Sequence, residues 1–169
     1  IMFIDATASG VNISTSSSEV TYIASKTEEG KIVSSNGDYY LYNAVVNGEI
    51  TTIKANAQIS TNKLSGSVSY DSDDILNVSS AKDHSKLVTP SSAGTVKQSG
   101  SSTIGFGNGN SVAYWSVAKD CKVFYVDADG KITESSLSGI STDTDDTVLA
   151  VQNDGELTYI FIQEVTAGA

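Results

Sequence analysis

Cys121 and His84 are the only thiol and the only imidazole in a chain of 169 residues, so nucleophilic or metal chemistry has to start from them. A Cys–His couple needs contact and a third group that orients the base, and one imidazole cannot build a histidine metal site. Cys121 heads the alternating run Cys121, Val123, Tyr125, a pattern in which a thiol packs as a small hydrophobe. His84 stands in a polar stretch and is expected to be solvated. Serines abound, yet there is no Gly-x-Ser-x-Gly elbow and no His-Glu-x-x-His. The run Gly105-Phe106-Gly107-Asn108-Gly109-Asn110 has the composition of a phosphate loop, but the strand-like Val112–Val117 follows where a helix is needed. Two carboxylates can hydrolyse a glycoside, and among 20 acidic residues some pair arises by chance. The expectation is a protein that is not an enzyme, with no catalytic residue and no organic cofactor.

Calcium is the cation these side chains could hold, because hard cations take clustered oxygen ligands. The candidate ligands are Asp71 and Asp73 in one acidic turn, Asp127 and Asp129 in another, and Asp143 and Asp145 in a third stretch. An EF-hand is excluded: with Asp127, Asp129 and Gly130 at loop positions three, five and six, the first and last ligand positions fall on Tyr125 and Ser136. What remains is a simpler site joining Asp143, Asp145 or Asp146 to another loop. The competing reading is that Asp nucleates turns and keeps the surface soluble. Among the aromatic residues, Tyr39, Tyr40, Tyr42, Tyr114 and Trp115 could stack on sugar rings. Alternation instead sends Tyr40 and Tyr42, with Ala44, to one core-facing side, and Trp115, Phe124 and Phe161 read as core.

The elements that must position these groups are strands. Ser and Thr make up about a quarter of the chain, there is one proline, and 39% of residues are hydrophobic, enough for a core. Ile1–Ala6 reads as a strand, Ser14–Ser18 as a loop, and Val20–Ser25 alternates between two faces. A polar turn at Glu28–Gly30 precedes a short strand at Lys31–Ser34. Tyr39–Val46 and Glu49–Asn56 flank Asn47-Gly48, the signature of a two-residue type I′ hairpin. Further hairpins are expected around Asp71–Asp74, Gly107–Asn110, Asp129-Gly130 and Asp154-Gly155. Ser80–Ser92 reads as a polar loop, and Ser135–Ile140 as a short helix or turn. Short strands at this spacing imply an all-β fold of antiparallel hairpins in a β-sandwich or barrel-like module with little helix. The domain reading is a linking strand at 1–10 shared with a neighbouring unit and one β-rich module at 11–169, with two subdomains divided near 80–95 as an alternative.

The net charge of −10, carried against ten lysines and no arginine, would repel nucleic acid and anionic lipid. No apolar run approaches the ~20 residues of a membrane-spanning helix. A nearly cysteine-free, acidic, Ser/Thr-rich chain suits the outside of a Gram-positive-type cell. One phrase recurs: Asn47-Gly48-Glu49-Ile50-Thr51, Asp129-Gly130-Lys131-Ile132-Thr133 and Asp154-Gly155-Glu156-Leu157-Thr158. The ends also match, Ile1-Met2-Phe3-Ile4 reading like Tyr159-Ile160-Phe161-Ile162, with Gly10 falling where Gly168 falls. Such echoes suggest a stacked or chained unit.

Two passages carry a family resemblance: Val117–Ile132, continued by Thr142–Val148 and Tyr159–Ile162, and the run Tyr39–Ile53. Together they resemble the β-rich repeat modules of large secreted surface-layer-type proteins of Clostridia-like bacteria, which are commonly joined to surface-layer homology domains that anchor to cell-wall polymer. The resemblance implies a structural module on the bacterial cell surface whose partners are copies of itself or neighbouring repeats, reaching cell-wall polymer only through domains outside this segment. Head-to-tail association would run through the strands Ile1, Met2, Phe3, Ile4 and Tyr159, Ile160, Phe161, Ile162. The alternative is a carbohydrate- or ligand-binding adhesin module.

Overall fold

The computed structural model describes residues 20–35, 37–89, 95–98, 102–108, 111–140 and 146–164. The fold is all-β, as the sequence indicates, and among the described residues helix is confined to the 3₁₀ turns Val78–Ser80 and Leu137–Gly139. The first sheet holds β1 (Thr21–Ser34), β2 (Gly37–Val46), β3 (Glu49–Ala55), β4 (Lys63–Ser65) and β5 (Ile75–Leu76), in the spatial order β4-β1-β2-β3-β5. The second runs β6-β11-β12-β9-β8-β7, from β6 (Leu87–Val88), β7 (Thr95–Gln98), β8 (Thr103–Asn108), β9 (Ser111–Val126), β11 (Thr147–Asn153) and β12 (Glu156–Gln163), and β10 (Ile132–Ser135) pairs with the end of β9. Both sheets curl, giving a half-barrel that is also sandwich-like.

The hairpins are antiparallel, but two joins are not: β5 runs parallel to β3, and β12 runs parallel to β9. Turn signals specify neighbours in sequence, whereas these joins connect distant segments. The acidic turn at Asp71 therefore closes only a stub, bridging Tyr70 to Leu76, before Ile75 and Leu76 pair with Lys54 and Ala55. A second difference concerns Glu28–Gly30. These residues form no turn between two strands; they are a bulge within the continuous β1, where the register with β2 slips between Lys26 and Lys31. Gly30, at φ +63°, donates its N–H to Thr27 Oγ1 (3.1 Å), which closes the bulge locally.

Among the described residues three apolar clusters form the core. Between the sheets lie Val20, Tyr22, Ala24, Val45 and Leu64 from one side and Phe124, Val126, Ile132, Val151 and Phe161 from the other. Tyr22 stacks on Phe161 with ring centroids 4.3 Å apart, and Phe124 stacks on Phe161 at 5.6 Å; each such pair contributes about 1 kcal/mol beyond its buried area. The outer face of the first sheet (Ile23, Tyr42, Ala44, Ile53, Ala55) is covered by Val68, Leu76 and Ala81. The second sheet packs Val123, Ile160 and Ile162 against Ile104, Phe106 and Val117 where it curls over itself. Strand centres are thus covered on both faces, so Tyr159–Ile162 is an unbroken apolar run rather than an alternating one.

Candidate functional site

The two expected Asp clusters resolve into one repeated turn. Asp71 Oδ1 accepts the N–H groups of Asp73 (2.9 Å) and Ile75 (3.0 Å), and Asp127 Oδ1 accepts those of Asp129 (3.0 Å) and Lys131 (2.9 Å). In both, the first residue donates its N–H to the carbonyl four residues on, and the fourth residue has positive φ, Asp74 at 61° and Gly130 at 85°. A short carboxylate here satisfies two backbone donors that the bend would otherwise strand. The structure does not bring these turns together: among the described residues no three His, Cys, Asp or Glu side chains are grouped to hold a metal ion. Asp143 and Asp145 lie outside the described residues, as do Ile1, Met2, Phe3 and Ile4.

The Asp127 turn does make contacts that no local pattern in the chain foreshadows. Ser25 Oγ donates to Gly130 O (2.9 Å) and accepts from Asn43 Nδ2 (3.0 Å), pinning the turn to the first sheet. Glu164 Oε2 accepts the Ala128 N–H at 3.2 Å, so its charge completes the turn from behind. Ser25, the Asp127 turn and Glu164 line a cleft of about 360 Å³. At another margin Tyr22 OH donates to Asn62 Oδ1 (2.7 Å), Asn62 Nδ2 to Thr147 Oγ1 (2.9 Å), and Gln163 Nε2 to Ala24 O (3.2 Å), a chain of bonds that links the sheets. Burial pushes the Tyr22 phenol well above its usual range. Only Gln163, a polar residue closing an apolar run, carried a signal in the sequence.

Cys121 is half-buried beside Val123 and Tyr125 on the face the alternation assigned to it. Burial, followed by the Asp120 carboxylate, pushes its thiol up to about 12, which disfavours the thiolate near neutrality. His84 is not solvated: it is 7% exposed. Its N–H donates to Leu64 O (3.0 Å), its carbonyl accepts from Leu87 N–H (3.0 Å), and its Nδ1 accepts from Lys86 N–H (3.0 Å). These bonds tie His84 to Leu64 of β4 and Leu87 of β6, which holds the ring inward within a stretch whose polarity suggests exposure. Tyr40, Tyr42 and Ala44 do share one apolar face, as expected. Trp115 is half-buried on the cluster of Ile104 and Phe106, a different cluster from that of Phe124 and Phe161. Tyr114 is exposed and lies over Gly105, its cross-strand partner, where an added Cβ would come within 2.8 Å of the ring.

Tyr159, Ile160, Phe161 and Ile162 occupy β12, which pairs with β11 on one edge and β9 on the other. That strand has no open edge inside the unit. The open edge lies elsewhere: β5 pairs only with Lys54 and Ala55, which leaves Glu49–Ile53 of β3 without a strand beside it among the described residues. Below it runs a groove of about 840 Å³, walled by the β1 bulge and the Asp129–Ile132 segment, with Leu41, Asn43, Ile50 and Thr52 on its floor. Ile50 is 48% exposed there. Comparison with family models, curated proteins and solved structures finds no match to this chain.

Proposed function

We propose that this chain is a structural module of an extracellular bacterial surface assembly, of surface-layer-repeat or filament-subunit type, that associates through β-strand contacts and catalyses no reaction. The observation that carries the reading is the unequal finish of its strands: the centre of each sheet is sealed on both faces, while Glu49–Ile53 has no strand on its outer side among the described residues and borders a groove with Leu41 and Ile50 on its floor and charged side chains on its walls. Natural sheets cover or charge such edges, because an open one templates pairing with another chain. Strand addition draws affinity from main-chain bonds and register from alternate side chains, and a head-to-tail contact that does not close on itself generates a fibre or array. The likeness to secreted surface-layer modules and the recurring turn phrase agree with that use. The test is multi-angle light scattering on the purified chain across a micromolar-to-millimolar series. A mass that climbs steadily with concentration supports the reading, and a constant monomer mass at the highest concentration refutes it.

A second reading rests on Tyr114. Its exposed ring, set beside Gly105 where no side chain intervenes, could serve as a sugar-stacking platform. Glycan-array binding that disappears in Tyr114→Ala would favour a carbohydrate-binding adhesin module over the assembly reading.

A further inference from the structure

Two edges of the first sheet are open, and they match each other. β3 pairs with β2 along one side, Ile50 opposite Val45; its other side is open from Glu49 to Ile53 among the described residues, up to where β5 joins at Lys54. β1 pairs with β2 as far as Ser34, while β4 covers its other side at Thr21–Ile23, which leaves Lys31–Ser34 open on that side among the described residues. The end of β1 and the start of β2 form a two-stranded arm, because β3 ends at Ala55, opposite Tyr40, while Gly37–Tyr39 still pair with β1. A two-stranded ribbon is marginal alone, and this one exposes Ile32 (38%) and Val33 (74%). With Ile50 they are three of the four exposed large hydrophobic residues among those described.

We infer that the arm of one copy adds to the β3 edge of the next, with Lys31–Ser34 parallel to Glu49–Thr52. β1 and β3 both run antiparallel to β2 and so parallel to each other, and shifting a copy along the sheet sets its β1 beside β3 in the same sense. One register meets every requirement: Lys31 beside Glu49, Ile32 beside Ile50, Val33 beside Thr51, Ser34 beside Thr52. The faces agree, since Ile32 and Ile50 stand opposite Tyr39 and Val45, on one face of β2, while Lys31 and Glu49 stand opposite Tyr40 and Val46, on the other. The main-chain groups agree as well. Counting from Ser34–Gly37 and Val46–Glu49, the pairs that close the two hairpin loops, the outward N–H and C=O groups belong to Lys31 and Val33 on β1 and to Ile50 and Thr52 on β3. A parallel ladder needs that offset: Val33 N–H donates to Ile50 O, and Thr52 N–H donates to Val33 O. Lys31, already held at Asp38 Oδ2 (2.7 Å), brings a cation to Glu49 on the same face. Ser35 then falls beside Ile53, and the arm turns back before it meets Ile75 of β5. Successive copies step about six residues, roughly 20 Å, along the strands, and the contact does not close on itself. This inference rests on the assembly reading and names the two elements that meet in it.

The test mixes single-cysteine variants on a Cys121→Ser background at a concentration where the unsubstituted chain associates. Ile32→Cys with Ile50→Cys should give a disulfide between chains, identified by peptide mapping, in at least tenfold greater yield than Val33→Cys with Ile50→Cys, whose side chains point to opposite faces. Charge exchange supplies the second readout: Lys31→Glu should raise the concentration needed for association at least fivefold, and adding Glu49→Lys to the same chain should restore it. All of these positions are exposed, so the variants keep the fold. Association that leaves positions 32 and 50 unlinked, or that the second charge change does not restore, overturns this pairing while the assembly reading stands. A chain that stays monomeric in light scattering overturns both.

Discussion

The β2–β3 and β11–β12 hairpins start from nearly the same words and end in opposite surroundings. Each turns through two residues with positive φ, and each continues Glu, then Ile or Leu, then Thr. After Asp154-Gly155 the returning strand enters the middle of a sheet, with Leu157, Ile160, Phe161 and Ile162 all buried. After Asn47-Gly48 it runs along a margin, and of Glu49 to Ala55 only Ile53 and Ala55 are buried. Local sequence therefore decides that a hairpin forms, while the far side of the returning strand is decided by segments distant in the chain. What separates the two is the partner, not the turn.

The comparison can be broken first at its aliphatic pair. Leu157→Ala should cost about 3 kcal/mol, the ordinary range for emptying a sealed core site. The matching Ile50→Ala, at a site 48% exposed, should cost about 0.5 kcal/mol or less. Urea melts of the two variants beside the unsubstituted chain measure the difference, and equal costs at the two positions would erase the distinction.

The glycines rank next. Gly155 has open space around its Cβ position, so Gly155→Ala should lose about 1 kcal/mol for its positive φ alone. At Gly130 an added Cβ would lie 2.6 Å from Ser25 Oγ, whose bonds to Gly130 O and Asn43 would have to yield. Gly130→Ala should therefore lose about 2 kcal/mol, measurable as a lower urea midpoint than that of Gly155→Ala. Asn47 also does more than turn the chain, because its Oδ1 holds Val20 N–H. Asn47→Ala should cost about 1 kcal/mol and expose the Val20 amide to exchange, which Asp154→Ala would not.

The smallest expected effect is chemical. With its thiol pushed up to about 12 by burial, Cys121 should resist iodoacetamide at pH 8 in the folded chain and react readily in urea. The sign of the linkage follows: the unfolded thiol ionises near its ordinary 9.0 while the folded one stays protonated, so stability is untouched at lower pH and declines as pH rises from about 9 toward 12. Fast alkylation of the native protein at pH 8 would place Cys121 at the surface.

Much of the fold was legible in the sequence because turns and alternation are local. Asn47-Gly48 and Asp154-Gly155 fixed two hairpins, and the Val20, Tyr22, Ala24 face was read correctly as one side of a strand. What stayed hidden was long-range. The parallel joins of β5 to β3 and β12 to β9 connect segments with no turn between them. The match between Tyr159–Ile162 and the amino-terminal Ile1–Ile4 suggested a strand free to pair outward, yet a strand covered on both faces needs the same unbroken apolar run. The burial of His84 is not legible locally, because polarity along the chain does not reveal whether backbone bonds will fold a loop inward. Asp71 and Asp127 act as turn formers, which their spacing before the positive-φ residue suits. Ser25 and Glu164 were invisible, being ordinary polar residues until the Asp127 turn docks on them.

The measurement that bears most directly on the β3 edge is sedimentation velocity of concentrated wild-type protein beside Thr52→Pro. The Thr52 N–H faces the open side, so proline there spares the β2–β3 ladder and removes a donor that only an added strand would use. A concentration-dependent series of assemblies in the wild type that is abolished in a still-folded Thr52→Pro is the predicted result. Undiminished association in Thr52→Pro would contradict the account and move the contact between units away from β3.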